Sequence, residues 1–231
     1  MLKHTQKVKE IYEDIQRKIF YMVPEKWDEL YLYASVIERL GGVQTGELYF
    51  YYIPKGILKK KPVNVYEIPS KFNLDEKDYL KLVELLYEKI KELREEFKKI
   101  EPETKVWSNI TMSIENLKFK VEYNYEDLLN SRFSSYERHI IWRYKYLNIG
   151  PEHCTKEEKE ILKQYLTGPK TLDRKEKYET GIYIKNIKNI VDYDTESYES
   201  TQNIEYVASK DEEKRKNQIL IFDDKNNKIN L

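Results

Sequence analysis

The sequence predicts an α+β fold in which an antiparallel β-sheet, built from two hairpins, packs against one long helix. Two pairs of segments with alternating apolar and polar side chains predict the hairpins, and a continuous apolar stripe predicts the helix. Further amphipathic segments predict flanking helices at the N-terminal and C-terminal sides. The 231 residues, 40% hydrophobic and 35% charged, accommodate one domain with an appendage or two small domains.

An amphipathic helix is predicted over residues 5–22. Pro24 marks its end, because the residue before a proline is disfavoured in helical conformation. Apolar side chains recur at helical spacing at Val8, Ile11, Tyr12, Ile15, Ile19 and Met22.

The first hairpin is predicted from two strands after Trp27. In the first strand, apolar residues alternate with mostly tyrosines, and residues 47–53 form the second. The turn is predicted at the glycines between 41 and 46, and residues 64–69 are a candidate third short strand. The alternating sets of the first strand are Leu30, Leu32, Ala34 and Val36 against Tyr31, Tyr33, Ser35 and Ile37.

The long helix has the strongest pattern. Asn73 and Glu76 have the spacing of a capping box, and Pro102 stops the helix. A coiled coil is compatible with the stripe and leaves room for a dimer, but a length of about three heptads favours packing on a sheet. The stripe consists of Tyr79, Val83, Leu86, Ile90, Leu93, Phe97 and Ile100.

The second hairpin is predicted over residues 106–125, with its turn near Glu115 and Asn116. Ser134 and Glu137 then have the spacing of a capping box, and Gly150-Pro151 ends the helix that follows. The stripe of this helix consists of Tyr136, Ile140, Ile141, Tyr144 and Leu147.

The composition changes after Pro151, which predicts a domain at 1–151 and an extension at 152–231. Thr155 and Glu158 cap a short helix that Gly168-Pro169 closes. The remainder is polar, with an acidic segment at 192–199 and β-like islands at 181–187, 203–208 and 218–224. We expect a weak β appendage or a partly disordered tail.

The composition predicts a cytoplasmic protein. The N-terminus lacks the apolar region of a secretory signal, no apolar stretch is long enough to span a membrane, and there is one cysteine, Cys154. A net charge of zero argues against a general nucleic-acid binder. The 21 tyrosines suit either a partner surface or a half-hydrated sheet, and for any single tyrosine the sheet is favoured.

Several blocks of residues follow one another in a recognisable order over 7–151. They are Pro24, Trp27 and 31–34; 49–51 and 68–69; the long helix ending REEFKK; 107–111 and 125–127; and Phe133, Ser134, Arg138, Trp142, Tyr144, Lys145 and Leu147. In these blocks the chain resembles the YezG-like antitoxin (immunity) family. It departs from the family pattern at Ser35, where an acidic residue is expected, and at Ser135, where a helix-starting proline is expected.

This resemblance implies a non-enzymatic inhibitor with no cofactor and no metal. Its implied partner is a cognate type VII-secreted toxin with an LXG-type N-terminus and a C-terminal nuclease domain, bound in the cytoplasm of the producing cell. Neither nucleic acid nor membrane is an implied partner. A chaperone or adaptor for the secretion substrate is an alternative, and a small hydrolase using Glu126, Asp127 and His139 is another.

Candidate partner-binding residues come from the aromatic and acidic positions of the second hairpin and the helix after it. Trp107 and Trp142 are interface anchors or core residues, with the core favoured, and Trp27 is expected in the core. Asn109 and Thr111 are expected to be exposed polar contacts. The full set is Trp107, Asn109, Thr111, Glu122, Tyr125, Glu126, Asp127, Trp142 and Tyr144.

The acidic residues Glu122, Glu126 and Asp127, with Glu115 nearby, have two interpretations. They form an acidic strand edge that meets the basic groove of a nuclease, or they are a solvated edge. Elsewhere the chain offers little chemistry. The three histidines are far apart, Cys154 beside His153 lacks the ligand count of a metal site, and the lysines at 59–61 are expected to be a solvated loop.

Overall fold

The computed structural model describes residues 5–39, 44–56, 61–169, 175–181 and 220–222. Several predicted features lie outside these ranges. They are His4, the turn at Gly41 and Gly42, Lys59 and Lys60, the acidic segment 192–199, the island 203–208, and all but one residue of the island 181–187.

The structure confirms the predicted α+β class. Short 3₁₀ turns lie at Val65–Glu67 and Pro151–His153. The helices are α1 (Gln6–Met22), α2 (Ile68–Phe72), α3 (Glu76–Ile100), α4 (Ser135–Leu147) and α5 (Lys156–Thr167), and the strands are β1 (Trp27–Ser35), β2 (Ile37–Glu38), β3 (Gln44–Pro54), β4 (Val63–Asn64), β5 (Asn109–Glu115), β6 (Lys118–Asn124), β7 (Lys175–Gly181) and β8 (Leu220–Phe222).

The strands form an antiparallel sheet in the order β2-β3-β1-β5-β6-β7, and β4 and β8 also pair with β3. β1 therefore lies between β3 and β5, and each side chain along it has neighbours on both sides. The described parts of the C-terminal extension join the sheet at two places, through β7 on β6 and β8 on β3.

Helices α1 and α3 cover one side of this sheet, which we call the first face. Every residue of the predicted α1 stripe is buried there, as is the α3 stripe from Tyr79 to Phe97. Arg94 of α3 is also buried, and its Nε donates a hydrogen bond to the Trp107 carbonyl at 3.0 Å. The strands contribute Leu30, Leu32, Ala34, Leu48, Phe50, Tyr52, Ile110, Met112, Ile114, Phe119, Val121 and Tyr123.

Gly46 is required by the close approach of α3 to the sheet. The Tyr87 hydroxyl donates to the Ser35 carbonyl at 2.9 Å directly beside it. A Cβ at position 46 would lie 1.7 Å from the Tyr87 hydroxyl oxygen and 2.1 Å from the Ser35 carbonyl oxygen. Any residue larger than glycine would therefore separate α3 from the sheet.

Two local predictions were wrong. Residues 65–72 are helical rather than a short strand, because Pro69 suits the first turn of a helix and cannot donate to a strand neighbour. Asn73 does not cap α3; it ends α2 in left-handed conformation with φ 52°, and the Asp75 side chain caps α3 by accepting from the Asp78 amide at 2.8 Å.

Helix α4 lies on the opposite side of the sheet, the second face, and α5 packs on α4. The predicted capping boxes at Ser134 and Thr155 are both present. α4 ends at Leu147 rather than at Gly150, because Asn148 adopts the left-handed conformation (φ 52°). α4 is thus enclosed, with Trp142 against the sheet and Ile140 and Ile141 against Ile161 and Leu162 of α5.

Candidate functional site

The side chains of the second face lie in rows that cross β3, β1, β5 and β6, as the strand register requires. Tyrosines dominate the β3 and β1 half, where the rings of Tyr33 and Tyr49 stack with centroids 4.6 Å apart. The row at the end nearest the start of α4 is entirely polar and buried. It consists of Glu47, Ser35, Asn109 and Asn124.

Glu47 is a buried carboxylate whose partners come from both the sheet and α4. The Tyr49 hydroxyl donates to it at 2.7 Å, and the Ser135 hydroxyl and the Arg138 guanidinium donate to it from α4. The ion pair with Glu47 contributes to raising the pKa of Arg138 against the opposing effect of burial. The backbone amide of Glu47 donates to the Ser35 hydroxyl at 3.0 Å. Both departures from the family pattern, Ser35 and Ser135, therefore contact Glu47.

The same cation also holds the loop that precedes α4. Arg138 Nη1 donates to the Phe133 carbonyl at 2.8 Å, while Nη2 contacts Glu47. One side chain thus ties the loop at 125–134 to the sheet. This network was not predicted from the sequence. The one signal for it is that Glu47 falls in the same alternating set as Tyr49 and Tyr51, which indicates that its side chain lies on the same face of the sheet.

His139 is buried between tyrosines and is uncharged. Its ring stacks on Tyr49 with centroids 4.3 Å apart, and its Nε2 hydrogen bonds with the Tyr51 hydroxyl at 2.9 Å. Burial, with a smaller contribution from Arg143, lowers the pKa of His139 to about 3. Its side chain is buried, whereas Asp127 is exposed, so the structure does not present His139 to solvent beside that carboxylate.

The expected exposure of Asn109 and Thr111 was wrong. They are 2% and 4% exposed, because α4 and the loop before it cover the second face. Trp142 Nε1 donates to Thr111 Oγ1 at 3.1 Å, and Asn124 Nδ2 donates to Asn109 Oδ1 at 3.0 Å. Alternation identified the face on which these residues lie, but not that a helix covers it.

The predicted acidic strand edge is not an edge. β7 pairs with β6 along its whole length, and Lys175 and Lys177 approach Glu122 at 3.4 Å. The Tyr146 hydroxyl donates to Glu122 at 2.7 Å. The pKa of Glu122 is lowered, since the hydrogen bond from Tyr146 and both lysines outweigh the opposing effect of burial. Its charge is therefore largely matched within the chain.

Glu126 and Asp127 lie in the loop at 125–134, where Asp127 is exposed and Glu126 is half-buried. Asp127 accepts hydrogen bonds from the Asn130 side chain at 2.8 Å and from the Asn130 amide at 3.2 Å, and these bonds lower its pKa. Tyr125 is buried, while Leu129 is well exposed. This loop therefore presents a stable negative charge beside an apolar side chain.

The remaining candidates divide between the core and α4. Trp107 is fully buried on the first face beside Tyr123, with ring centroids 5.9 Å apart, and Trp142 is buried on the second, so the favoured core interpretation is confirmed for both. Trp27 is half-buried and stacks on Phe20, with ring centroids 5.3 Å apart. Tyr144 is half-buried against the α4–α5 cluster.

The described ranges contain no group of three or more His, Cys, Asp or Glu side chains placed to hold a metal ion. Within the same part of the chain, no helix combines the length and apolar character that a membrane span requires.

Comparison with known proteins gives consistent matches. A family model described as "Immunity protein YezG-like" matches residues 8–163. "Immunity protein YezG" of Bacillus spizizenii is 34% identical over 163 residues, which cover 70% of this chain and 94% of that protein. Its namesake in Bacillus subtilis is 31% identical over 160 residues, covering 69% and 99%. "Type VII secretion system protein EsaG" of Staphylococcus aureus is 31% identical over 150 residues, covering 64% and 85%.

Proposed function

Because this chain belongs to the YezG-like immunity protein family, we propose that it binds one cognate secreted nuclease toxin in the cytoplasm and neutralises it without catalysing a reaction. The toxin would be of the LXG type, with a C-terminal nuclease domain. The family match over residues 8–163 is the observation that carries this proposal. The matched range includes strands β1 to β6 and the helices that cover the two faces of the sheet.

Neutralisation requires that the chain occlude the substrate groove of the nuclease or distort its active site. A nuclease holds phosphates with cationic groups, so an acidic surface on its inhibitor speeds association and selects the partner. Glu126 and Asp127 fit this role, because their loop is accessible and the pKa of Asp127 is lowered. Glu122 does not fit it as well, because Tyr146 and the lysines of β7 already surround it.

The partner-binding role of the other candidate residues stays a prediction. A toxin that docks on this conformation can touch the half-exposed Tyr144. The buried candidates contribute by fixing α4 on the sheet, as Trp142 does through Thr111. The division at 151/152 also stays a prediction; the family match includes most of α5, and Arg143 of α4 contacts Glu158 of α5 at 3.2 Å.

The proposal predicts an LXG toxin gene beside the gene of this chain, and the test uses its product. We expect an equimolar amount of the purified chain to abolish the degradation of plasmid DNA or total RNA by the toxin's nuclease domain, and co-expression to restore growth of cells that produce the toxin. Another immunity protein of this family, whose cognate toxin is a different one, serves as the specificity control. Full nuclease activity and cell death in the presence of the chain would reject the proposal.

A chaperone or adaptor role for the secretion substrate is the second candidate, favoured by the secretion-system name of the Staphylococcus aureus relative. The two roles differ in the region of the toxin that is bound. Separate pull-downs with the LXG region and with the nuclease domain distinguish them: neutralisation requires binding to the nuclease domain, whereas the adaptor role requires binding outside it.

A further inference from the structure

Two exposed leucines lie on segments that contact each other at the α4–α5 side of the molecule. Leu129, in the loop before α4, is 61% exposed, and Leu166, in the last turn of α5, is 51% exposed. Phe133 of the same loop packs edge-on against Tyr165 of the same helix, with ring centroids 6.3 Å apart. The loop and the end of α5 therefore form one continuous surface.

Arg132 joins the same two segments. Its guanidinium lies over the Phe133 ring, 4.4 Å from the centroid, and its Nη1 lies so close to Gly168 that a Cβ there would be 2.3 Å away. We call Leu129, Arg132, Phe133, Tyr165 and Leu166 the loop–α5 surface.

Three of the five side chains of this surface, Arg132, Phe133 and Tyr165, are of the types that are enriched in protein interfaces. Aromatic residues and arginine are enriched at the centres of protein interfaces, where a few such side chains supply most of the affinity. The guanidinium over Phe133 is exposed, so it can donate to carbonyl or carboxylate oxygens of a partner. The exposed Asp127 and Asn130 of the same loop are polar, as residues of an interface rim are.

Charge indicates which partner fits. Glu126 and Asp127 lie at the start of the same loop, so the apolar centre has an acidic side. A nuclease must present cationic groups to phosphate, which complements that side. A second copy of this chain has a formal net charge of zero, so it carries no overall positive charge to complement that side.

We propose that the loop–α5 surface is the docking site for the nuclease domain of the toxin, with Leu129 and Leu166 in the apolar centre and Asp127 beside the cationic groove. This inference rests on the proposed function and specifies the contact. Arg138 and the Arg143–Glu158 pair hold the two halves of the surface in place from behind, through the Phe133 carbonyl and through α5.

The experiment measures the affinity of the full-length chain for the purified nuclease domain of the adjacently encoded toxin. The variant is L129S/L166S, which removes apolar area without adding charge. The matched control is L117S/L85S, since Leu117 on the β5–β6 turn and Leu85 on α3 are 71% and 51% exposed but lie elsewhere. Thermal melting of each variant verifies that its fold is retained.

We expect L129S/L166S to weaken binding by at least about thirtyfold and L117S/L85S to change it by less than about threefold. Asp127→Asn should slow association at low salt and have less effect at high salt. If the wild-type chain binds and L129S/L166S binds equally well, or if only the control loses affinity, the docking site is wrong while the function stands. If the wild-type chain itself does not bind the nuclease domain, the proposed function fails and the docking site with it.

Discussion

The two faces of the sheet are buried by different physical means. The first face meets α1 and α3 mainly through aliphatic and aromatic side chains, whose burial stabilises in proportion to the apolar area removed from water. Tyr87 and Arg94 of α3 add two hydrogen bonds to backbone carbonyls there. The second face meets α4 through tyrosines, a buried glutamate, an arginine and a neutral histidine, each with specific hydrogen-bond partners. Apolar burial is non-directional, whereas hydrogen bonds require defined positions.

The hydrogen bonds of the second face fix the position of α4 on the sheet, whereas the apolar contacts of the first face contribute mainly stability. α4 contacts the sheet through polar groups at successive turns: Ser135 and Arg138, then His139, Trp142 and Tyr146. A shift of α4 along the sheet would leave buried polar atoms without partners, which is costly. The loop before α4 and the helix after it are therefore held in a fixed position, and these carry the loop–α5 surface.

The largest effect is expected on the first face. Phe50→Ala should reduce the free energy of unfolding by about 4 kcal/mol, because it leaves a cavity in the fully buried core of this face. Urea denaturation measures this loss. The control Leu85→Ala, on the exposed side of α3, should change stability by less than about 0.5 kcal/mol. A loss below about 1 kcal/mol for Phe50→Ala would contradict area burial as the basis of this face.

On the second face, Arg138→Met should cost about 3 kcal/mol, because it leaves the Glu47 carboxylate buried without its cation. Glu47→Gln combined with Arg138→Met should lower the free energy of unfolding by less than Arg138→Met alone, since a neutral amide needs no counter-charge. On the first face, the losses of stability from two substitutions at residues that do not touch should instead add. Equal losses in the single and double variants would show that the ion pair does not govern this contact.

The pH dependence of stability should also differ between the faces. The pKa of His139 is lowered to about 3 in the folded chain, so between pH 6.5 and about pH 3 the unfolded chain binds a proton that the folded chain does not. Stability is therefore highest above pH 6.5 and falls as pH decreases, by up to about 1.4 kcal/mol per pH unit. Tyr49, Tyr51 and Arg143 face the imidazole. Burial raises the pKa of both tyrosines, so neither tyrosine changes charge in this window.

Unfolding by urea at pH 7, 6 and 5 measures this slope. His139→Phe should remove its contribution, whereas the first-face variant Phe50→Ala should keep the wild-type slope at lower overall stability. Parallel slopes for the wild type and His139→Phe would show that the buried imidazole does not control the acid sensitivity.

The smallest effect is expected from a single hydroxyl. Tyr51→Phe removes the partner of His139 and of the Asn64 side chain and should cost about 1 kcal/mol. The exposed Tyr21 provides the matched control, since Tyr21→Phe should change stability by less than about 0.5 kcal/mol. Identical unfolding midpoints for the two variants would mean that the buried Tyr51 hydroxyl contributes no more to stability than an exposed one.

The sequence predicted the first face well and the second face poorly, for a physical reason. Alternation places Leu30 and Leu32 on one side of a strand and Tyr31 and Tyr33 on the other, but it does not say whether a mixed side is hydrated or covered. α4 buries residues on two sides, toward the sheet and toward α5, so no single stripe reveals its orientation.

Helix ends were predictable from the sequence where the pattern of residue types has a single structural meaning. The capping boxes at Ser134 and Thr155 depend only on contacts within one helical turn, and both formed. Asn73 was misassigned because asparagine both caps helix starts and tolerates the left-handed conformation at helix ends, and spacing alone does not separate these uses. The pairing of Glu47 with Ser135 and Arg138 joins positions about ninety residues apart, which no local pattern encodes.

The core of the first face and helix α4 are separated in the order of synthesis. All buried members of this core lie between Val8 and Tyr125, so every residue of it leaves the ribosome before α4 does. A nascent chain can then already hold its helices α1 and α3 on the sheet while the tyrosines of the other side still face water. α4 and α5 emerge next and cover the second face, and β7 and β8 join the sheet after them, so in this order the loop–α5 surface forms on a core whose residues are already outside the ribosome.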